Sequence, residues 1–289
     1  MKPLPSHRRA QLPSSFRFIT GLVALISFGA LFVVLGLPAP PQAQTPNEIL
    51  ILPGFWIPQG PAPIENGPAK ASPNNEVGGA IQAVAAHPGN ADVIYVGTVN
   101  GGIWKTTNGT SASPHWTPQT DNQKSLSIGA LKFDPTDKKG NTLIAGIGRF
   151  SAYRRAGGPL TGLLLTTDGG STWRSIDGGG KLVGSNISGV AMRGTIIVAT
   201  ANISDNGSCK NIGMFRSVYN GQSFSEVSGT AGTGFPDGRV FDLAEDPGNS
   251  AVLYAPVQFV NYADCKEGTN GVYKSTDTGR PGVWSPMPR

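Results

Sequence analysis

Charge is scarce in this chain of 289 residues: Asp, Glu, Lys and Arg together make up 14%. So low a charged fraction argues against a solvated, disordered chain and for packed structure. Cysteine and histidine are scarce too, at two and three. His7, His87 and His115 have no metal-ligand spacing. No phosphate-binding glycine loop and no nucleophile elbow is present. No metal and no cofactor is therefore expected. The basic excess of +5 is confined to one end. Lys2, Arg8, Arg9 and Arg17 lie in the first 17 residues with no acid, which leaves 19 basic against 18 acidic residues elsewhere. A body this close to neutral gives no reason to expect nucleic acid.

What is abundant is glycine, at 40, and proline, at 24, the composition of many short strands and tight turns. One octet organises them. Thr166-Thr-Asp-Gly-Gly-Ser-Thr-Trp173 fits the S/T-x-D-x-G-x-T-W pattern called the Asp box, or BNR repeat. Asp168 can accept N–H groups of its own turn, Gly170 permits positive φ, and Trp173 is a wedge for packing against a neighbouring sheet. Variants recur. Asn108 anchors a copy with its aromatic at Trp116. Tyr219, Gly221 and Phe224 form a degraded copy. Asp277, Gly279 and Trp284 form a stretched one. The anchors at 108, 168, 219 and 277 give a period of roughly 50–60 residues, one four-stranded unit per repeat.

The predicted fold class is therefore all-β. It is a propeller of about four four-stranded blades, spanning 79–119, 126–177, 187–228 and 239–288, within a domain from 55 to 289. A second marker supports the phase: a turn at His87-Pro88, Asp134-Pro135 and Asp246-Pro247 follows the first strand of three units, with Arg193-Gly194 in the other. Trp56-Ile-Pro-Gln59 matches Trp116-Thr-Pro-Gln119, the outer strand of the first unit. With only four full units, the expectation is an open arc from a truncated gene or fragment. The competing expectation is a compact four-bladed ring with the Trp56 strand added at an edge.

Upstream, residues 1–17 form a basic segment and 38–54 a linker. Between them Phe18–Leu37 is an uncharged run of twenty residues. About 20 apolar residues span a bilayer as a helix, and basic residues mark the cytoplasmic side. This predicts a hydrophobic helix that is either an uncleaved membrane anchor or a cleaved signal, with the body outside the cytoplasm in both cases.

On these residues the chain resembles Asp-box propellers of the sialidase, sortilin and family-74 glycoside hydrolase (xyloglucanase) type. It is also similar to the photosystem II assembly-factor propellers. Val77–Thr106 is similar to the first blade of the family-74 enzymes. There the resemblance implies a catalytic Asp at the position of Val99, which cannot carry a proton. Hydrolysis of this kind needs two carboxylates. The resemblance further implies that the Asp boxes lie on the face opposite the active centre.

Candidate ligand residues lie in the loops between second and third strands. Arg149, Tyr153, Arg154 and Arg155 combine guanidinium and ring for an anionic or sugar partner. Asp205 and Asp264, with Asp121 and Asp177, are the remaining acid–base candidates. Cys209 and Cys265 occupy matching loops of adjacent units, which predicts a disulfide in an exported protein. The expected role is a non-catalytic binding or scaffold module taking a protein or glycan on the propeller face. The alternative is a hydrolase of extracellular glycans, and a third reading is a decayed gene product.

Overall fold

The computed structural model describes residues 80–149, 155–204, 209–261, 263–264 and 270–288. The Phe18–Leu37 run, the linker and the Trp56 segment lie outside them. Among the described residues no helix is long and apolar enough to cross a membrane.

The described chain forms four antiparallel sheets, each built from consecutive strands. The first sheet holds β1 (Ile81–Ala86), β2 (Ile94–Thr98), β3 (Ile103–Thr106) and β4 (Trp116–Pro118). The second holds β5 (Ile128–Phe133), β6 (Leu143–Ile147), β7 (Leu163–Thr166) and β8 (Arg174–Ile176). The third holds β9 (Ser185–Arg193), β10 (Ile196–Ser204), β11 (Gly213–Ser217) and β12 (Ser225–Glu226). In the fourth, β13 (Arg239–Val240) and β14 (Ala244–Asp246) both pair with β15 (Asn249–Gln258), followed by β16 (Gly271–Ser275) and β17 (Trp284–Pro286). The sequence suggested one continuous strand over Val240–Ala244. The chain breaks there because Asp242 Oδ1 accepts the Leu243 N–H at 2.7 Å, a local bond that competes with the ladder.

The strands read as near-continuous apolar runs because both faces of most sheets are covered. Three cores fill the seams between successive sheets. Tyr95 and Ile103 of the first sheet meet Leu131, Leu143, Leu164 and Trp173 of the second. Ile144, Leu163 and Leu165 of the second meet Val190, Ile197, Phe215 and Phe224 of the third. Val198 and Met214 of the third meet Leu253, Ala255, Tyr273 and Trp284 of the fourth. We call the face a sheet turns to its successor leading, and the opposite face trailing. Sheets approach most closely near their inner strands. A Cβ on Gly97 would lie 2.4 Å from Ile128 Cγ2, and one on Gly146 2.3 Å from Ile187 Cγ2. Small residues inside and aromatic wedges outside make each sheet a blade, the arrangement of a β-propeller.

The octet turns shape the rim. In all four copies the hydroxyl at the first position is buried: Thr106, Thr166, Ser217 and Ser275 are at most 2% exposed. Thr166 Oγ1 accepts the Gly170 N–H at 2.9 Å, Ser217 Oγ that of Gly221 at 3.1 Å and Ser275 Oγ that of Gly279 at 3.1 Å. The third copy keeps this bond although Tyr219 replaces the acid. Where the acid is present it adds to the turn. Asp168 accepts from the Thr172 N–H at 2.9 Å and the Thr172 hydroxyl at 2.6 Å. Asn108 does the same job across a longer loop, taking the His115 N–H at 2.8 Å. The wedges Trp173, Phe224 and Trp284 are 9%, 8% and 4% exposed.

Each covered turn is also gripped by the preceding sheet. The residue after the anchor has positive φ, at 68° for Gly169, 55° for Asn220 and 44° for Thr278, so its carbonyl faces outward from the turn. Lys105 Nζ and the Tyr95 hydroxyl donate to Gly169 O at 2.9 and 2.7 Å. Arg174 donates to Asn220 O at 3.4 Å, and Arg216 to Thr278 O at 3.0 Å. Lys105 and Arg216 immediately precede their own octets. Leu165 fills that position in the second sheet, and the cation moves to Arg174, its cross-strand partner.

The bonds from the Thr172 hydroxyl and N–H, then from Thr166, hold the Asp168 carboxyl at about 2, below the usual 3.8. A carboxyl with a lowered folded pKa stabilises the fold above its unfolded value and loses that contribution as pH falls toward the folded one. Urea titrations from pH 5 to pH 2 are therefore expected to show stability falling below about pH 4. Asp168→Asn, which restores the chemistry of Asn108, is expected to flatten part of that fall.

Candidate functional site

Up-and-down strand order places the octet turns at one end of the blades. The loops between second and third strands, with the links between sheets, lie at the other. At this loop end the seams between sheets are closed by neutral amides and hydroxyls. Between the first and second sheets, Ser127 Oγ donates to Asn100 Oδ1 at 2.6 Å and accepts the Gly158 N–H at 3.0 Å. Asn100 Nδ2 donates to Ala156 O at 3.1 Å. Between the second and third, the Arg149 N–H donates to Asn186 Oδ1 at 2.6 Å, and Asn186 Nδ2 to Asn202 Oδ1 at 3.1 Å. Between the third and fourth, Ser188 Oγ donates to Val240 O and lies 3.2 Å from Thr200 Oγ1. Ser127, Asn186, Asn202, Ser188 and Thr200 are all buried. A buried amide satisfied on both sides fixes the geometry of the loops above it and carries no ionisable proton.

The candidate ligand residues separate on this frame. Arg149 is half-buried, with Nη1 3.5 Å from Gly158 O, so its guanidinium belongs to the wall of its own loop. Arg155 is exposed at φ 56°. Tyr153, Arg154, Asp205 and Cys265 lie outside the described residues. Asp264 is exposed and its Oδ1 accepts the Cys209 N–H at 3.0 Å, tying the loops of the third and fourth sheets together. Asp177 is exposed and accepts the Gly179 N–H at 3.0 Å, while Asp121 is exposed on a link. Asp177 and Asp264 thus hold backbone. Val99 is 9% exposed, with its N–H on Ala80 O at 2.9 Å. Among the described residues no cysteine is free, and Cys209 is buried. At the octet end Asp277 pairs with Arg280 at 2.8 Å.

The reading of the sequence missed the amide and hydroxyl ladder. Its signal was available: Asn186 and Asn202 interrupt the apolar runs of β9 and β10, and a polar residue within a buried strand must find a partner.

No family model matches the chain, and no curated protein matches it. Among solved structures, a GH74 xyloglucanase from Xanthomonas campestris is 22% identical over 73% of this chain and 31% of its own, with a TM-score of 0.49. An ancestral GH74 enzyme is 22% identical over 73% of this chain and 24% of its own, at 0.48. YCF48 from Cyanidioschyzon merolae is 12% identical over 73% of this chain and 57% of its own, at 0.45. This chain thus spans less than a third of either enzyme's length.

Asn186→Ala would leave the Arg149 N–H and Asn202 Oδ1 without their partner. It is expected to cost about 1–3 kcal/mol in urea denaturation. Asn186→Asp, which places a charge at the same buried point, is expected to cost more.

Proposed function

We propose that this chain is a non-catalytic binding or scaffold module: an Asp-box propeller forming an open arc, exported and held at a membrane by residues 18–37. The observation that carries it is the loop-end ladder of Asn100, Ser127, Asn186 and Asn202. It presents rigid loops over neutral hydrogen-bonding groups, with Val99 buried where the resemblance puts a catalytic acid. Loops held rigid from beneath suit a protein or glycan contacted by the exposed side chains they carry, Asn100 and Arg155 among them. The uncharged twenty-residue run with all nearby basic residues before it supports the exported topology. The open arc is supported by exposed apolar residues on the outer face of each end sheet: Val84 at 60% and Val272 at 44%.

Binding is tested by titrating the protein with xyloglucan oligosaccharides and with an immobilised peptide array. Saturable binding weakened about tenfold or more by Arg149→Ala with Arg155→Ala is the expected result. Binding indifferent to both arginines removes this site. Turnover of xyloglucan or of a sialoside above blank replaces the binding reading with hydrolysis.

Cys209 and Cys265 form a disulfide in this reading. Support comes from Asp264, the neighbour of Cys265, which bonds the Cys209 N–H. The bond would constrain a loop of some 55 residues, worth on the order of 4 kcal/mol. Thiol labelling of the denatured, unreduced protein is expected to find no reactive cysteine; two labelled thiols would exclude the pair.

A further inference from the structure

The last sheet carries on its leading face the parts with which the others grip their successors. Tyr254 stands opposite Lys274, as Tyr95 stands opposite Lys105. Lys274 Nζ lies 5.6 Å from the Tyr254 ring, and Lys105 Nζ 5.2 Å from the Tyr95 ring. In the first sheet both side chains reach the Gly169 carbonyl. In the last, the Tyr254 hydroxyl turns back to Asp246 Oδ2 at 3.4 Å. Asp246 in turn holds the position from which earlier sheets bond their successors. His87 Nε2 contacts Lys139 O at 3.1 Å, Asp134 Oδ2 accepts the Gly194 N–H at 2.8 Å, and Arg193 Nε donates to Ser250 O at 2.7 Å. Asp246 instead accepts N–H groups of its own turn, from Gly248 and Asn249.

The apolar part of the grip is present too. Phe241, Pro256, Val272 and Met287 form one cross-strand row. Val272 occupies the place of Ile103, Leu163 and Met214, which are fully buried, yet it is 44% exposed. Phe241 and Met287 are 46% and 42% exposed.

The trailing face of the first sheet is the matching half. Ile81 and Val84 are 57% and 60% exposed, and Trp104 and Trp116 only half-buried, whereas the wedges of the later sheets are covered. The Gly109 N–H donates to Asp92 O at 2.8 Å. Gly169 and Asn220 likewise bond the loop before the second strand of their own sheets, and Thr278 bonds Ala251 near the start of β15. Gly109 lacks the positive φ of Gly169, Asn220 and Thr278, so the uncovered turn matches the others in its place on the sheet and not in the aim of its carbonyl.

We infer that the leading face of the last sheet docks the trailing face of the first sheet of a second copy of this chain, head to tail. The Phe241–Met287 row covers Val84 and Trp104, and Lys274 with Tyr254 comes to face the Asn108 turn. The junction repeats, between chains, the seam already made three times within one. Such a heterologous contact closes into a ring if its rotation permits and extends otherwise. The inference rests on the open-arc reading, and its readout is independent of any ligand.

The test is sedimentation and native mass spectrometry of the full chain in detergent over a concentration series. Concentration-dependent association is expected. Val272→Asp or Lys274→Glu should weaken it about tenfold or more, and Trp104→Asp on the opposite face should do the same, with circular dichroism unchanged. Mixing a variant altered only on the last sheet with one altered only on the first should restore a complex that neither forms alone, the mark of head-to-tail contact. A chain that stays monomeric overturns the inference. So does association indifferent to both faces, or a crosslink from position 274 to the Trp56 segment of the same chain.

Discussion

A four-stranded sheet with apolar side chains on both faces cannot bury them alone. Each sheet of this chain needs a neighbour on either side, and everything else follows from how that neighbour is held. The inner strands allow close approach because Gly97 and Gly146 leave room for a facing isoleucine. The rim is fixed by an aromatic wedge and a gripped carbonyl. At about 25 cal/mol per Å² of apolar surface buried, the three seams supply the main driving force. The polar bonds at each end set alignment more than strength, since a typical hydrogen bond nets about 1 kcal/mol.

Much of the fold was legible in the sequence because turns carry strong local chemistry. The octets mark one hairpin in every unit and a proline turn marks a second in three of the four, and apolar runs between them must be strands. The fourth sheet was harder. The Asp242 side chain captures a backbone N–H and splits the first strand, an event that depends on one hydrogen bond and leaves no periodic trace. The degraded third octet shows the reverse. Its missing acid suggests a lost turn, yet Ser217 retains the buried bond that shapes it.

The loop end was less legible. Charged residues draw the eye in a sequence this poor in charge, so Arg149, Arg155 and Asp264 stood out. They prove to hold loop backbone or to face solvent. Asn100, Ser127, Asn186 and Asn202 carry the seams instead, through pairings between residues up to 56 positions apart that no local window reveals. Their neutrality matters chemically. Their bonds are made within the protein, so they fix the loops above them and carry no ionisable proton.

The exchange of Leu165 for Arg174 has a wider meaning. Two of the three seams take their cation from the strand before the octet, and the middle one takes it from the strand after, directly across the ladder. What the architecture requires is a positive charge at one point in space, and two different letters of the chain can deliver it. Drift between repeats can therefore move the charge from one strand to the next while the junction persists, which lets copies diverge in spelling long before they diverge in shape.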